Sequence, residues 1–130
     1  HKSGEIRTFS VDRIQKIAPT DDRFKIPPDF DFDAYTASSF GVVAEPAVTV
    51  QIRFTAQWAS YVSEREWHAS QETELLPDDQ LLLTMKVGGS QELANWVLSF
   101  GGGATVLEPA ALRDEVRVSL AAALANYADA

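Results

Sequence analysis

The chain contains no cysteine and only two histidines among its 130 residues. The first absence excludes disulfides, thiolate zinc sites, iron–sulfur ligation and cysteine nucleophiles, and it fits the reducing cytoplasm where the protein is expected to reside. The second leaves little imidazole chemistry, because His1 stands ahead of everything else and His68 is left as the sole plausible base. Seven glycines and six prolines are too few for a fibrous or low-complexity chain. No apolar run approaches the roughly 18 residues a membrane helix needs, and His1-Lys2-Ser3-Gly4-Glu5 lacks the apolar core of a signal peptide. The first residue is not methionine, as expected of a chain that begins mid-protein.

Basic charge is also scarce: 11 Lys and Arg against 19 Asp and Glu give a net −8. Such a field repels phosphate backbones, so this chain is not expected to grip duplex DNA. The imbalance is uneven. Residues 1–20 carry four bases against two acids, a local +2, whereas residues 21–130 carry seven against seventeen, a local −10. What is present is the composition of a soluble globule, with 45% hydrophobic and 23% charged residues.

The apolar spacing from Ile6 to Val11 fits a short strand. Residues 18–46 then form a connector in which Pro27-Pro28 forces extended backbone at Ile26. Phe24, Phe30, Phe32, Tyr35 and Phe40 are costly to leave in water, so the connector is expected to pack on something. Within it a short helix is expected over Phe32–Ser38, capped by Asp29 or Asp31.

After Pro46 the pattern sharpens. Val48, Val50, Ile52 and Phe54 alternate as one buried face of a strand, and Thr55 can cap a helix carrying Trp58, Tyr61 and Val62. A weaker alternation from Trp67 to Leu75 predicts a second strand, which a turn at Pro77-Asp78-Asp79 joins to a third carrying Leu81, Leu83, Met85 and Val87. Ser90 is a suitable N-cap for a helix with Leu93, Trp96, Val97 and Phe100 on one face, and Gly101 suits a left-handed C-terminal residue. A brief strand over 104–107 leads to Pro109 at a first helical position and to a helix carrying Leu112, Val116, Leu120, Ala123, Leu124 and Tyr127, a stripe expected to pack on its own domain, with a partner-binding face as the alternative; a dimer would form through a sheet edge or this helix. The order strand, helix, strand, strand, helix, strand, helix predicts an α+β, ferredoxin-like fold with one appended helix over residues 47–130.

No catalytic set assembles in the sequence, and the chain is not expected to be an enzyme. His68 lies on the polar side of its strand, where an exposed histidine is the plainer reading. A small hydrolase or isomerase would need His68 in a cleft beside a carboxylate. Glu64, Glu66, Glu72 and Glu74 read as a solvated face. Asp29, Asp31 and Asp33 have the spacing of a calcium loop's first ligands, but Ala34 stands where glycine is required and no Glu follows at the twelfth position, so capping explains them better. Gly101-Gly102-Gly103 follows a helix, whereas a phosphate loop precedes one. No metal or cofactor is expected. The three tryptophans read as core or edge aromatics. Arg7 and Arg13, flanking Phe9, could hold an anionic ligand in bidentate fashion, or Arg13 could pair with Asp12 or another acid.

These residues also carry a family resemblance. Gly4-Glu5-Ile6-Arg7-Thr8-Phe9-Ser10-Val11-Asp12-Arg13-Ile14 resembles the closing strand of a WYL domain, the Sm-like barrel of bacterial helix-turn-helix regulators. The remainder resembles the C-terminal extension called WCX: the connector at Phe24, Pro27-Pro28, Phe30-Asp31, Tyr35 and Phe40-Gly41, then Trp96-Val97-Leu98-Ser99-Phe100-Gly101, Val106-Leu107-Glu108-Pro109 and Leu112-Arg113. The Trp-Tyr-Leu tripeptide that names the barrel is absent. The resemblance implies three regions: 1–17 as the last barrel strand, 18–46 as connector and 47–130 as the WCX-like domain. It implies an effector-sensing and oligomerisation region, with a homodimer as partner state and Arg7 and Arg13 as contacts for a nucleotide or single-stranded nucleic-acid effector. Duplex DNA would be reached only through a helix-turn-helix domain upstream of His1. The competing expectation is a stand-alone small-molecule-binding ferredoxin-like domain, which needs a complete pocket within residues 47–130.

Overall fold

The computed structural model describes residues 6, 9, 11–37, 39–40, 46–88 and 91–128. Val11–Arg13 form a 3-10 turn in which the Ile14 N–H donates to the Val11 carbonyl (3.1 Å). Of the strand expected from Ile6 to Val11, Arg7, Thr8 and Ser10 lie outside the described residues, and Val11 begins the 3-10 turn. A strand needs a neighbour for its N–H and C=O groups, and the four-stranded sheet of this chain is built from other residues. In the connector, helix α1 (Phe32–Thr36) is capped by Asp31, whose Oδ1 accepts the Ala34 N–H at 3.1 Å. Of the two aspartates considered for that role, Asp31 takes it.

The domain runs β1 (Ala47–Phe54), α2 (Ala56–Ser63), β2 (Glu72–Leu75), β3 (Leu81–Gly88), α3 (Gln91–Leu98), β4 (Ala104–Glu108) and α4 (Ala110–Ala128). The sheet is antiparallel with order β2-β3-β1-β4, so the two longest strands are central. Register follows from side-chain period: Val50, Ile52 and Phe54 of β1 stand opposite Met85, Leu83 and Leu81 of β3, and all six are buried on one face. Ala59 and Val62 of α2, Leu93, Ala94 and Val97 of α3, Val106 of β4, and Leu112 and Val116 of α4 complete the same core. Burying each large apolar side chain stabilises the fold by about 1.5–3 kcal/mol. Val48 departs from the pattern at 40% exposure, because β4 pairs with β1 only from Gln51 to Phe54 and leaves that end uncovered.

Three local expectations change. β2 begins at Glu72 rather than Trp67, because the Gln71 side chain intervenes: its Oε1 accepts the Trp67 N–H and its Nε2 donates to the Arg65 carbonyl at 2.8 Å, folding 65–71 into a turn. Thr55 is the N-cap of α2 by position only. Its carbonyl accepts from Trp58 and Ala59, while its hydroxyl makes no cap bond. Pro109 precedes α4 instead of opening it, and its carbonyl accepts the Arg113 N–H. Gly101 has the left-handed φ of 54° expected of it, and the Pro77–Asp79 turn holds Asp78 and Asp79 at positive φ. The Ser90 cap lies outside the described residues.

The exposed edge of β4 is blunted by its own helix. Arg113 of α4 donates through Nη1 to the Leu107 carbonyl at 3.1 Å, beside the irregularity where β4 shifts register against β1.

Candidate functional site

The helix side of the sheet ends in a continuous aromatic surface. Phe54 from β1 meets Phe100 at 5.1 Å and Trp96 at 5.9 Å, while Trp58 and Tyr61 from α2 close on Phe100 from the other side at 5.2 and 6.3 Å. Trp67, in the turn before β2, lies 4.9 Å from Trp96, and its indole N–H donates to the Val62 carbonyl at 3.0 Å. Arg65 donates to the Tyr61 carbonyl and places its guanidinium 3.8 Å over the Tyr61 ring. Trp58, Trp67 and Trp96 are thus partly buried packing aromatics, as the sequence predicts.

Onto this surface folds the end of the connector. Phe40 lies 5.2 Å from Trp96 and packs on the core. Three residues earlier, the Ala37 carbonyl lies 3.1 Å from His68 Nε2. The other ring nitrogen, Nδ1, accepts the Ser70 N–H at 3.1 Å and lies 2.7 Å from Ser70 Oγ. With Nδ1 an acceptor, Nε2 carries the proton and donates to Ala37. Ser70 Oγ also accepts the Lys86 N–H of β3 at 2.9 Å and lies 3.3 Å from its carbonyl. His68 is half-buried rather than exposed. Its ring faces the Ser70 hydroxyl and the Ala37 carbonyl.

The other residues singled out in the sequence fall elsewhere. Arg13 is exposed at the end of the 3-10 turn, and Arg7 lies outside the described residues. Glu64, Glu66, Glu72 and Glu74 are exposed, as a solvated face should be. Phe30 and Tyr35 pair at 5.9 Å, whereas Phe24 and Phe32 remain mostly in solvent. Ile6 and the connector residues Phe24, Lys25, Ile26, Pro27, Asp29 and Phe30 line an open recess of about 560 Å³. Among the described residues no helix is long and apolar enough to cross a membrane.

Two surfaces of the domain are left free. The sheet face away from the helices presents Arg53, Thr84, Lys86, Glu72 and Glu74 by strand alternation. Among the described residues it bears no aromatic ring, so it offers no platform on which bases could stack. The second is the far half of α4. Leu112 and Val116 are buried, but the stripe then leaves the core, and Leu120, Leu124 and Tyr127 are 42%, 73% and 77% exposed. The expectation that α4 packs along its length on its own domain is corrected, since 19 residues outrun the sheet edge they dock against. From Val118 to Ala128 α4 carries no charged residue.

An antiparallel sheet backed on one face by helices, with an aromatic seat that receives the preceding segment, defines an α+β domain that anchors an N-terminal connector. Within this class the chain belongs to the WCX domain family, which it matches over residues 46–124, well over half its length. No curated protein matches the chain. Membership is compatible with a region associated with a transcriptional regulator.

Proposed function

We propose that this chain is a non-enzymatic effector-sensing and oligomerisation region of a cytoplasmic bacterial transcriptional regulator. The observation that carries the reading is the WCX match over 46–124. We take the domain to be ferredoxin-like, with residues 1–17 the end of a WYL barrel. The ferredoxin-like reading is supported by the βαββαβ chain order, by β1 and β3 lying side by side at the centre, and by the core on one sheet face.

Oligomerisation is assigned to the far half of α4, with a second copy of the same chain as occupant. Charge supports this choice. Two bodies of net −8 repel one another least where the surface carries no charge, and Val118–Ala128 is such a surface. An isologous contact would bury Leu124 and Tyr127 against their own equivalents. Sedimentation analysis should therefore give a dimer, and Leu124→Glu should weaken it more than tenfold. A monomer at high concentration rejects this assignment.

The effector is assigned to Arg7 and Arg13. Support comes from the +2 charge of residues 1–20, set in an otherwise acidic chain. If the contact is charge-assisted, Arg7→Ala or Arg13→Ala should weaken binding of a single-stranded oligonucleotide by about 2 kcal/mol. Titration by calorimetry checks it, and unchanged affinity in both variants removes the arginines from the effector site.

A further inference from the structure

We propose that two copies of the chain meet through the far halves of α4 running antiparallel, with the two-fold axis crossing the helices between Leu124 and Tyr127. This arrangement rests on the assignment of dimerisation to α4 and adds the direction in which the two helices run.

Every residue from Leu120 to Ala128 is exposed, so more than two turns of α4 stand clear of their own domain. At about 100° per residue, Leu120, Leu124 and Tyr127 fall within roughly 60° of one another, and Val118 lies on the other side of the helix. The three therefore share one face. It continues the stripe of Leu112 and Val116, which is buried against the domain. Leu124 and Tyr127, at 73% and 77%, are its most exposed members and mark the middle of the contact.

Charge decides the direction. The near half of α4 docks on the domain and carries Arg113, Asp114, Glu115 and Arg117, whereas Val118–Ala128 carries no charge. A parallel pair would set those four side chains beside their own equivalents and bring two chains of net −8 together at one end. An antiparallel pair holds them apart. With the axis midway between Leu124 and Tyr127, the two Val116 positions are about 28 Å apart along the helix, at about 1.5 Å per residue. That is more than three times the roughly 8 Å over which physiological salt screens a charge. The uncharged faces then meet while the acidic domains stay screened from one another. The helix dipoles favour the same direction, since each helix runs head to tail beside its partner.

Because the chain has no cysteine, a single introduced thiol reports on the contact by itself. All three positions used are exposed, so the substitutions leave the core intact. In the full chain under a mild oxidant, Leu124→Cys should form an interchain disulfide, its two copies being offset by only about 5 Å along the axis. Leu120→Cys, offset by about 16 Å, should crosslink at least about tenfold more slowly, and so should Val118→Cys on the other side of the helix. Non-reducing electrophoresis gives the rates, and sedimentation of the reduced variants gives the oligomeric state. Crosslinking of Leu120→Cys as fast as Leu124→Cys means parallel helices, which overturns the antiparallel pair and leaves dimerisation through α4 standing. Equal rates at Val118 and Leu124 would report random collision and overturn it too. A dimer in which Leu124→Cys does not crosslink moves the contact off α4, and a monomer by sedimentation removes the dimer itself; either result overturns the antiparallel pair together with the assignment beneath it.

Discussion

Replacing Gly103 by alanine should destabilise the domain by about 3 kcal/mol, at the upper end of what overpacking costs, and lower its thermal midpoint by roughly 15 °C. A Cβ built on Gly103 falls inside the Trp58 indole, against Cδ1 and Nε1. Trp58 cannot simply retreat, since Phe100 and Tyr61 meet it edge-on at 5.2 and 5.6 Å. The backbone cannot retreat either: the Gly103 carbonyl accepts the Thr55 N–H at 3.0 Å, and its own N–H donates to the Phe100 carbonyl at 2.9 Å. The two neighbouring glycines supply the control. Gly102 has nothing within 4 Å of a built Cβ and should accept alanine without loss, whereas Gly101, at φ 54°, should lose about 1 kcal/mol through backbone strain alone. Urea denaturation of the three single variants checks the order, and a Gly103→Ala midpoint equal to that of Gly102→Ala would sink the steric account.

The same three glycines show how far sequence reasoning reaches. Their place after a helix excludes a phosphate loop, and Gly101's left-handed φ is what a helix terminus asks for. Nothing in the run marks Gly103 as the one under an indole, because Trp58 lies on another helix and the contact is set by tertiary packing. Strands β1 and β3 are legible for the opposite reason. Alternation of large apolar residues is a local signal, and pairing two such strands buries both sets of side chains at once. Helix α4 misleads through its regularity, since Leu120, Leu124 and Tyr127 continue the spacing of Leu112 and Val116. Spacing reports a face, but only the length of the sheet edge decides where that face stops being covered.

The candidate site divides along similar lines. The aromatic character of the connector predicts that it packs on something, and Phe40 does. His68 reads from sequence as an exposed strand residue because its neighbours alternate. The alternation is interrupted by the Gln71 side chain, which accepts the Trp67 and His68 N–H groups and turns the histidine toward the connector. Side-chain hydrogen bonds that replace a ladder leave no periodic trace. Membership of the WCX family and the fold then bear on different questions. The family match over residues 46–124 is compatible with a regulator-associated region, while the structure identifies the aromatic surface on which Phe40, ahead of that region, packs.

Trp96→Ala should destabilise the domain by about 3 kcal/mol, the lower end of the range for truncating a large aromatic, because the ring is partly buried yet packs on the core. Trp96 touches Phe54 and Phe100 in the core, Trp67 in the turn before β2, and Phe40 in the connector. Removing it therefore opens a cavity and unseats the connector together. Phe40→Ala removes only the second effect and should cost much less, because among the described residues it gives up one ring contact where Trp96 gives up four. The pair can be separated by a double-mutant cycle on the two alanine variants, in which the coupling between Phe40 and Trp96 should come to about 1 kcal/mol, as measured for tilted and edge-on aromatic pairs. Coupling indistinguishable from zero would mean that the connector does not rest on Trp96 in solution. A loss below about 1.5 kcal/mol for Trp96→Ala would instead mean that the neighbouring rings close over the gap, and that the aromatic surface is held by Phe54 and Phe100 rather than by the tryptophan between them.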